Sequence, residues 1–293
     1  MKLYPIHAGN FKLDGGAMFG VVPKSIWNKL NPADENNMCS WALRCLLIED
    51  SNRLILIDTG MGNKQDAKFF SYYYMFGNET LESSLAEHGF SKNDITDVIL
   101  THLHFDHCGG AIHRVDDKLK PAFPNAQFWS NQEHWKWATE PNAREKASFL
   151  KENILPMQES GQLSFIDASA IEIKQNQLAK VNSNIIQGLS FRYANGHTKA
   201  MMLPQIQYGN KTIAYMADLL PSVAHIPLPY VMAYDMFPML TLTEKKVFLE
   251  EAAINNYILF FEHDLVNECC TVELTEKGVK VKEIGSLETL VNL

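Results

Sequence analysis

The sequence predicts an α+β fold in which strands dominate both ends of the chain and helices are interspersed. Three observations carry this expectation. Short β-rich apolar runs recur with turn residues between them. Helical stretches bounded by capping residues interrupt those runs. Polar clusters stand where strands stop, as expected of layered sheets whose loops carry chemistry. Residues 1–293 contain no internal repeat, low-complexity tract or long Pro/Gly/Ser linker, so they read as a single domain. With 46% hydrophobic and 20% charged residues, a packed core is expected rather than disorder.

Leu43–Glu49 and Leu54–Asp58 read as the strands of a hairpin, with Asp50-Ser51-Asn52 as its turn. The chain then leaves through a glycine loop, Thr59-Gly60-Met61-Gly62. Glu79–His88 reads as a helix capped by Asn78, with Gly89 just past its end. Val98–Thr101 is a short apolar strand. Asn131–Met157 is mostly helical in composition, and Trp135 and Trp137 are expected to pin it to the core. Ile185–Tyr193, Met201–Tyr208 and Thr212–Met216 read as strands, the last two joined at Gly209-Asn210. Thr243–Ala253 reads as a helix capped by Thr243, and Tyr257–Phe261 as a buried strand. Residues 270–283 supply one or two more strands, and a short helix closes the chain.

Charge excludes some functions. With 26 Lys plus Arg against 34 Asp plus Glu the net charge is −8, which gives no general attraction for nucleic acid or an anionic membrane. No apolar run is long enough to span a bilayer, and the first residues do not resemble a signal peptide. The five cysteines, Cys39, Cys45, Cys108, Cys269 and Cys270, are odd in number and lack CxxC spacing, which favours reduced thiols in a cytoplasm. The vicinal pair Cys269-Cys270 is expected to alternate between the faces of a strand, and Cys108 to be a small packing residue.

Histidine usage is more informative. Of ten histidines, three fall within six residues in Thr101-His102-Leu103-His104-Phe105-Asp106-His107-Cys108-Gly109-Gly110. Three imidazoles and a carboxylate make a dense nitrogen and oxygen donor set suited to zinc and its first-row neighbours. A strand end followed by a tight loop lets His102 and His104 share one ion, while Asp106 and His107 beyond the bend face a second. Glycines at 109 and 110 let the backbone fold away closely. Lone histidines elsewhere are ordinarily satisfied polar groups; His113 and His225 stand near the motif segments as further substrate-contact candidates, with less weight on His7, His88 and His134.

This segment resembles the HxHxDH signature of the metallo-β-lactamase superfamily, and other motifs of that family follow in order. Asp58 in Ile57-Asp58-Thr59-Gly60 matches the early aspartate that supports the metals from behind the ligands. His197 in Gly196-His197-Thr198 matches the next ligand, Asp218 the metal-bridging carboxylate, and His263 in Glu262-His263-Asp264 the last ligand. The resemblance implies a four-layer αββα sandwich, two mixed β-sheets flanked by helices. It implies two divalent ions, zinc first, with manganese, iron or cobalt also accepted. His102, His104 and His197 would hold one, Asp106, His107 and His263 the other, and Asp218 both. Two such cations would depress the pKa of a shared water, giving a hydroxide that attacks a carbonyl or phosphoryl centre, with Asp106 as the catalytic carboxylate that orients it and moves a proton.

Residue identities narrow the branch. His104 in place of Glu departs from the di-iron electron-transfer members, and Asp218 departs from the antibiotic-cleaving ones. Only 30 residues follow His263, too few for the thiol-ester-binding domain of glyoxalase II. What remains is similar to N-acyl-homoserine-lactone lactonases and methyl parathion hydrolases, the latter through Asp14–Pro23. The expected activity is hydrolysis of a lactone or other small carboxylic ester. A phosphotriester hydrolase and a catalytically silent metal-binding module remain as alternatives. The expected partners are a small-molecule ester or lactone, no nucleic acid and no membrane, with a homodimer as in similar lactonases. Such lactonases commonly carry a tyrosine three residues after the bridging aspartate; here that residue is Pro221. Phe19, Phe105, Tyr230 and Tyr234 are the candidate substrate contacts, the two tyrosines as replacements for the missing one. They belong to a wider set of aromatic and soft residues near predicted loops, including Met18, Trp27, Phe69, Phe70, Tyr72, Tyr73, Tyr74, Met232 and Phe237, each of which would serve equally well in a core.

Overall fold

The computed structural model of the chain describes residues 1–166 and 178–292. It divides into two compact units, Met1–Phe11 with Ala42–Ala168, and Lys12–Trp41 with Ser169–Leu293.

In the first unit, strands β1 (Lys2–Asp14), β2 (Met38–Asp50), β3 (Arg53–Ile57), β4 (Asp97–Ile99), β7 (Gln127–Ser130) and β8 (Leu163–Phe165) form a sheet in the order β1-β2-β3-β4-β7-β8. Strands β5 (Ile112–Val115) and β6 (Lys118–Pro121) form a separate antiparallel ribbon, with helix Lys151–Glu159 packed on it. β2 is buried without interruption from Trp41 to Ile48, so its apolar run needs no alternation: both faces are covered. Asp50 pairs with Arg53, and Ser51 takes the left-handed turn conformation at φ 55°, as the hairpin reading expects. From β3 the sheet is parallel, with Leu56, Val98, Phe128 and Leu163 in register. The core includes Ile6, Leu47, Leu56, Val98, Phe123 and Phe128, all buried.

In the second unit, β9 (Ala179–Asn182), β10 (Leu189–Ala194), β11 (Met201–Tyr208), β12 (Lys211–Tyr215), β13 (Ile258–Phe260), β14 (Cys269–Thr275) and β15 (Gly278–Gly285) form a sheet in the order β15-β14-β13-β12-β11-β10-β9. Only β12 and β13 pair in parallel; Tyr215 stands opposite Phe260. Helix Pro238–Ile254 packs on β14 and β15, and helix Leu287–Asn292 on β13 and β14. Cys269 and Cys270 lie in β14, buried and not bonded to each other.

Several boundaries move. The helix expected at Glu79–His88 spans Leu81–Glu87 and is capped by Thr80, not Asn78. Thr80 and Ser83 exchange hydrogen bonds as a capping box, which satisfies orphan donors at both ends of the turn. Asn131–Met157 resolves into two helices, Gln132–Thr139, which Asn131 caps, and Lys151–Glu159. The helix expected from Thr243 starts at Pro238. Thr243 lies inside it, its hydroxyl donating to the Met239 carbonyl one turn back (3.1 Å). β10 starts at Leu189, four residues after the expected Ile185.

Candidate metal centre

The first unit places its donors at the carboxyl ends of the parallel neighbours β3 and β4. Asp58 follows β3 directly, in the left-handed region at φ 58°, its N–H on the Ile99 carbonyl (2.9 Å). Thr101 and His102 follow β4, His104 stands just before a one-turn helix, and that helix, Phe105–Cys108, carries Asp106 and His107. The Thr59–Gly62 loop runs tightly against this turn: Thr59 N–H donates to His107 O and Gly110 N–H to Gly60 O. A Cβ on Gly109 would lie 2.0 Å from Met61 O, and one on Gly110 2.2 Å from Thr59 O. Only glycine permits this approach, which brings Asp58 against the histidines. The buried Lys64 ammonium donates to Gly109 O, and burial lowers it to about 8.

Asp58 accepts three hydrogen bonds: Thr101 N–H at 2.8 Å, Thr101 Oγ1–H at 2.6 Å and His107 Nδ1–H at 3.1 Å. These fix ring protons. The Thr101 hydroxyl gives its hydrogen to Asp58, so toward His102 Nδ1 (3.1 Å) it accepts, which puts a hydrogen on His102 Nδ1 and a lone pair on Nε2. His107, donating from Nδ1, likewise keeps a lone pair on Nε2. His104 does the reverse: Nε2 donates to Glu145 Oε1 (3.0 Å), leaving the lone pair on Nδ1. His102 Nε2 and His104 Nδ1 then face each other 3.0 Å apart, lone pair toward lone pair. Two imidazole nitrogens on one tetrahedral zinc lie roughly 3.3 Å apart, from Zn–N distances of about 2.0–2.1 Å. The donor set fits a cation there, and the outer hydrogen bonds are those that orient metal-binding histidines.

The second unit also gathers donors at strand ends. His197 follows β10, Asp218 lies three residues past β12 and His263 three residues past its parallel neighbour β13. The His197 loop is held by Glu244, which accepts from Asn195 N–H (2.7 Å) and Gly196 N–H (3.0 Å), and by Met236 N–H on His197 O. Burial pushes the Glu244 carboxyl up to about 7. His197 Nδ1 donates to Asp235 Oδ1 (2.8 Å), so Nε2 faces Asp218 Oδ2 at 3.1 Å; His263 Nε2 faces Asp218 Oδ1, also at 3.1 Å. One carboxylate thus presents an oxygen to each of two imidazoles, a fork suited to bridging two cations. Burial resists charging His197, yet the Asp218 and Asp235 carboxylates outweigh it and raise its pKa to about 10 in the metal-free chain. His263 N–H donates to Pro221 O (3.2 Å), so the residue at the expected tyrosine position anchors a candidate ligand through its backbone.

Three residues of these networks carry no motif in the sequence. Glu145 orients His104 and also accepts the Trp137 indole N–H (2.7 Å), so Trp137 secures that carboxylate while Trp135 packs in the core. Asp235 orients His197. His134, buried, accepts Leu103 N–H at Nε2 (2.9 Å) and steadies the loop between His102 and His104. Metal-binding histidines generally need a carboxylate or carbonyl behind them. That rule calls for residues such as Glu145 and Asp235 but does not say where in the chain they fall.

The substrate-contact candidates have different surroundings. In the first unit Phe105 packs against Phe69 (5.3 Å between centroids) and Tyr73 (4.7 Å). In the second, Phe19 is fully buried, stacked between Trp27 (5.2 Å) and His225 (4.8 Å), with Tyr230 edge-on to it (6.2 Å). Tyr230 is half-buried and Tyr234 exposed. His225 is structural: buried, it receives the Ser222 hydroxyl at Nδ1 (2.8 Å) and donates from Nε2 to Met18 O (2.9 Å). His113 lies on β5 opposite Lys120. Burial drives the Cys108 thiol up to about 12, as for a packing residue rather than a nucleophile.

The chain is similar to several known proteins. A family model described as the Metallo-beta-lactamase superfamily matches residues 44–263. The N-acyl homoserine lactonase AiiA of Bacillus thuringiensis subsp. kurstaki is 24% identical over 280 residues, covering 91% of this chain and 94% of its own. A probable metal-dependent hydrolase from Staphylococcus aureus superposes with a TM-score of 0.84 at 26% identity, covering 98% of this chain and 97% of its own. The dizinc quorum-quenching lactonase AidC, solved with a product, superposes at 0.77 with 22% identity over 97% of this chain and 95% of its own, a likeness of fold. No helix among the described residues is long and apolar enough to cross a membrane. The family model covers most of the chain, the mixed sheets with flanking helices match that fold, and histidine and aspartate donors stand at the strand ends: the chain belongs to the metallo-beta-lactamase superfamily of hydrolases.

Proposed function

We propose that the chain is a dinuclear metal hydrolase that opens a lactone or cleaves another small carboxylic ester. In this reading both units form one hydrolase domain. His102, His104 and His197 hold one ion, Asp106, His107 and His263 the other, and Asp218 joins them. One observation carries it: His102, His104, His107 and His197 each have one ring nitrogen committed to an oxygen behind it, so the other is turned inward as a ready donor. Bound there, two divalent cations, zinc first, would supply Lewis acidity and a water of pKa near 7. The Asp106 carboxylate would orient the attacking water, take its proton and return it to the leaving alcohol oxygen. A hydroxyl from Tyr230 or Tyr234 donates to the substrate carbonyl in place of the tyrosine missing at Pro221, and Phe105 lines the acyl side. The curated lactonase relatives, aligned over nearly the whole chain, make a lactone the first substrate class. We place the protein in the cytoplasm, in keeping with five free, buried cysteines, and propose a homodimer by its resemblance to lactonases.

Metal analysis of remetallated protein and a substrate panel test the reading. Two equivalents per chain are expected, with acyl-lactones turned over faster than aryl esters and phosphotriesters. Well under one equivalent refutes the two-ion site, and turnover confined to phosphotriesters refutes the carboxylic-ester assignment.

A further inference from the structure

Glu244 and Lys245 are consecutive buried ionisable residues in helix Pro238–Ile254. Glu244 holds the loop before His197. Lys245 holds a different loop: its Nζ donates to the carbonyls of Tyr230 (2.7 Å), Pro227 (3.1 Å) and Leu228 (3.3 Å). Three N–H donors meet three carbonyl oxygens, so the ammonium is saturated by backbone. Burying a cation in a helix–sheet core is costly, and a methionine of similar shape would fill the space without that cost. Burial accordingly lowers the Lys245 ammonium to about 7, with the Asp235 charge acting the other way.

The loop explains why a donor is needed. In Pro227-Leu228-Pro229-Tyr230 two residues lack an N–H, so the loop is rich in acceptors and poor in donors. Its own bonds, Tyr230 N–H to Pro227 O and Val231 N–H to Pro229 O, leave Leu228 O and Tyr230 O to an outside donor. Past Tyr230 the chain is tied down again by Ala233 N–H on Ala17 O (2.8 Å) and by Asp235 on His197. Lys245 fixes the near end of this 227–235 segment, and Tyr230 is the aromatic side chain nearest that fixed end.

We infer that Lys245 is a specificity-determining positioning residue, which holds the Pro227–Tyr230 carbonyls and so sets where Tyr230 stands relative to substrate. The inference rests on the hydrolase reading above, with Tyr230 as a substrate contact. In Lys245→Met the stem remains and the donors go. Amide exchange at Tyr230, Val231 and Ala233, whose N–H groups are hydrogen-bonded in this segment, is expected to rise at least tenfold and KM for the best ester at least tenfold. Metal content should be unchanged. Tyr230→Ala should raise KM, and adding Lys245→Met to it should raise KM little further. Lys245→Gln, which keeps two N–H donors, should restore part of both effects. It is also the variant to measure if the methionine protein does not fold, with faster exchange and raised KM than wild type again expected. Unchanged exchange overturns the positioning role, and faster exchange with unchanged KM overturns the specificity role. If the wild-type protein turns over no ester, the hydrolase reading fails by itself; faster exchange then still supports the loop-holding part, and unchanged exchange overturns it.

Discussion

Replacing His225 by glutamine isolates the contribution of one buried neutral imidazole to acid stability. His225 is 1% exposed, receives a hydrogen from Ser222, donates one to Met18 and lies flat on Phe19 with an interplanar angle of 5°. Burial lowers its pKa from 6.5 to about 3. The sign follows from which state binds the proton. Below pH 6.5 the unfolded chain protonates this residue while the folded chain does not, so its contribution is complete above that pH and is lost as pH falls toward 3. Well below pH 6.5 each unit costs about 1.4 kcal/mol, and because the unfolded imidazole is only half protonated at pH 6.5 the loss between pH 6.5 and 4.5 from this residue alone is about 2 kcal/mol. Glutamine offers the same acceptor and donor without a titrating group. Urea unfolding of the chelated protein at both pH values measures the difference. The wild type should lose about 2 kcal/mol more than His225→Gln over that interval, the other titrating groups cancelling between the two proteins. Equal losses would show that the imidazole is not held neutral, and the argument from burial would fail.

Three further outcomes are expected. Asp106→Asn should cut turnover at least about 100-fold while the protein stays folded; near-normal turnover removes Asp106 from the chemistry. Glu145→Ala takes the carboxylate from behind His104, and metal affinity measured by chelator competition should fall roughly 10–100-fold; an unchanged affinity means the ring needs no such support. Gly110→Ala drives a methyl within 2.2 Å of Thr59 O and should cost about 3 kcal/mol in urea unfolding, whereas an unshifted midpoint would contradict the close packing of the two loops.

The residues that sequence reading singled out share one property: they lie in compact strings at strand ends. His102 to His107 is legible because a loop of six residues leaves little freedom in how its side chains converge. Glu145 and Asp235 are not, because each sits 38 or more residues from the histidine it orients, and tertiary folding alone makes the pair. Helix starts failed for a related reason. Thr243 has the chemistry of a cap, but Pro238 pre-sets the first turn and lacks the N–H that a first turn leaves orphaned, so the helix begins there. β1 has no strand signature in the sequence: Pro5 and Gly9, the latter at φ 115°, break the alternation by which a strand is recognised, and pairing with β2 overrides the local preference.

The opposite tautomers of His104 and its neighbours also set which other side chains could stand in for them. An imidazole acting through Nδ1 has its donor atom as many bonds from Cα as the side-chain oxygen of asparagine or aspartate. One acting through Nε2 reaches a bond further, close to glutamine or glutamate. His104 turns Nδ1 inward, whereas His102, His107 and His197 turn Nε2 inward. By this count asparagine and aspartate match the reach of His104, and glutamine and glutamate that of His102, His107 and His197; the glutamate that di-iron members carry at position 104 is a bond longer and must approach the ion along a different path. The Thr101, Asp58, Glu145 and Asp235 oxygens, by fixing the ring protons, thereby set how far from the backbone each donor atom stands.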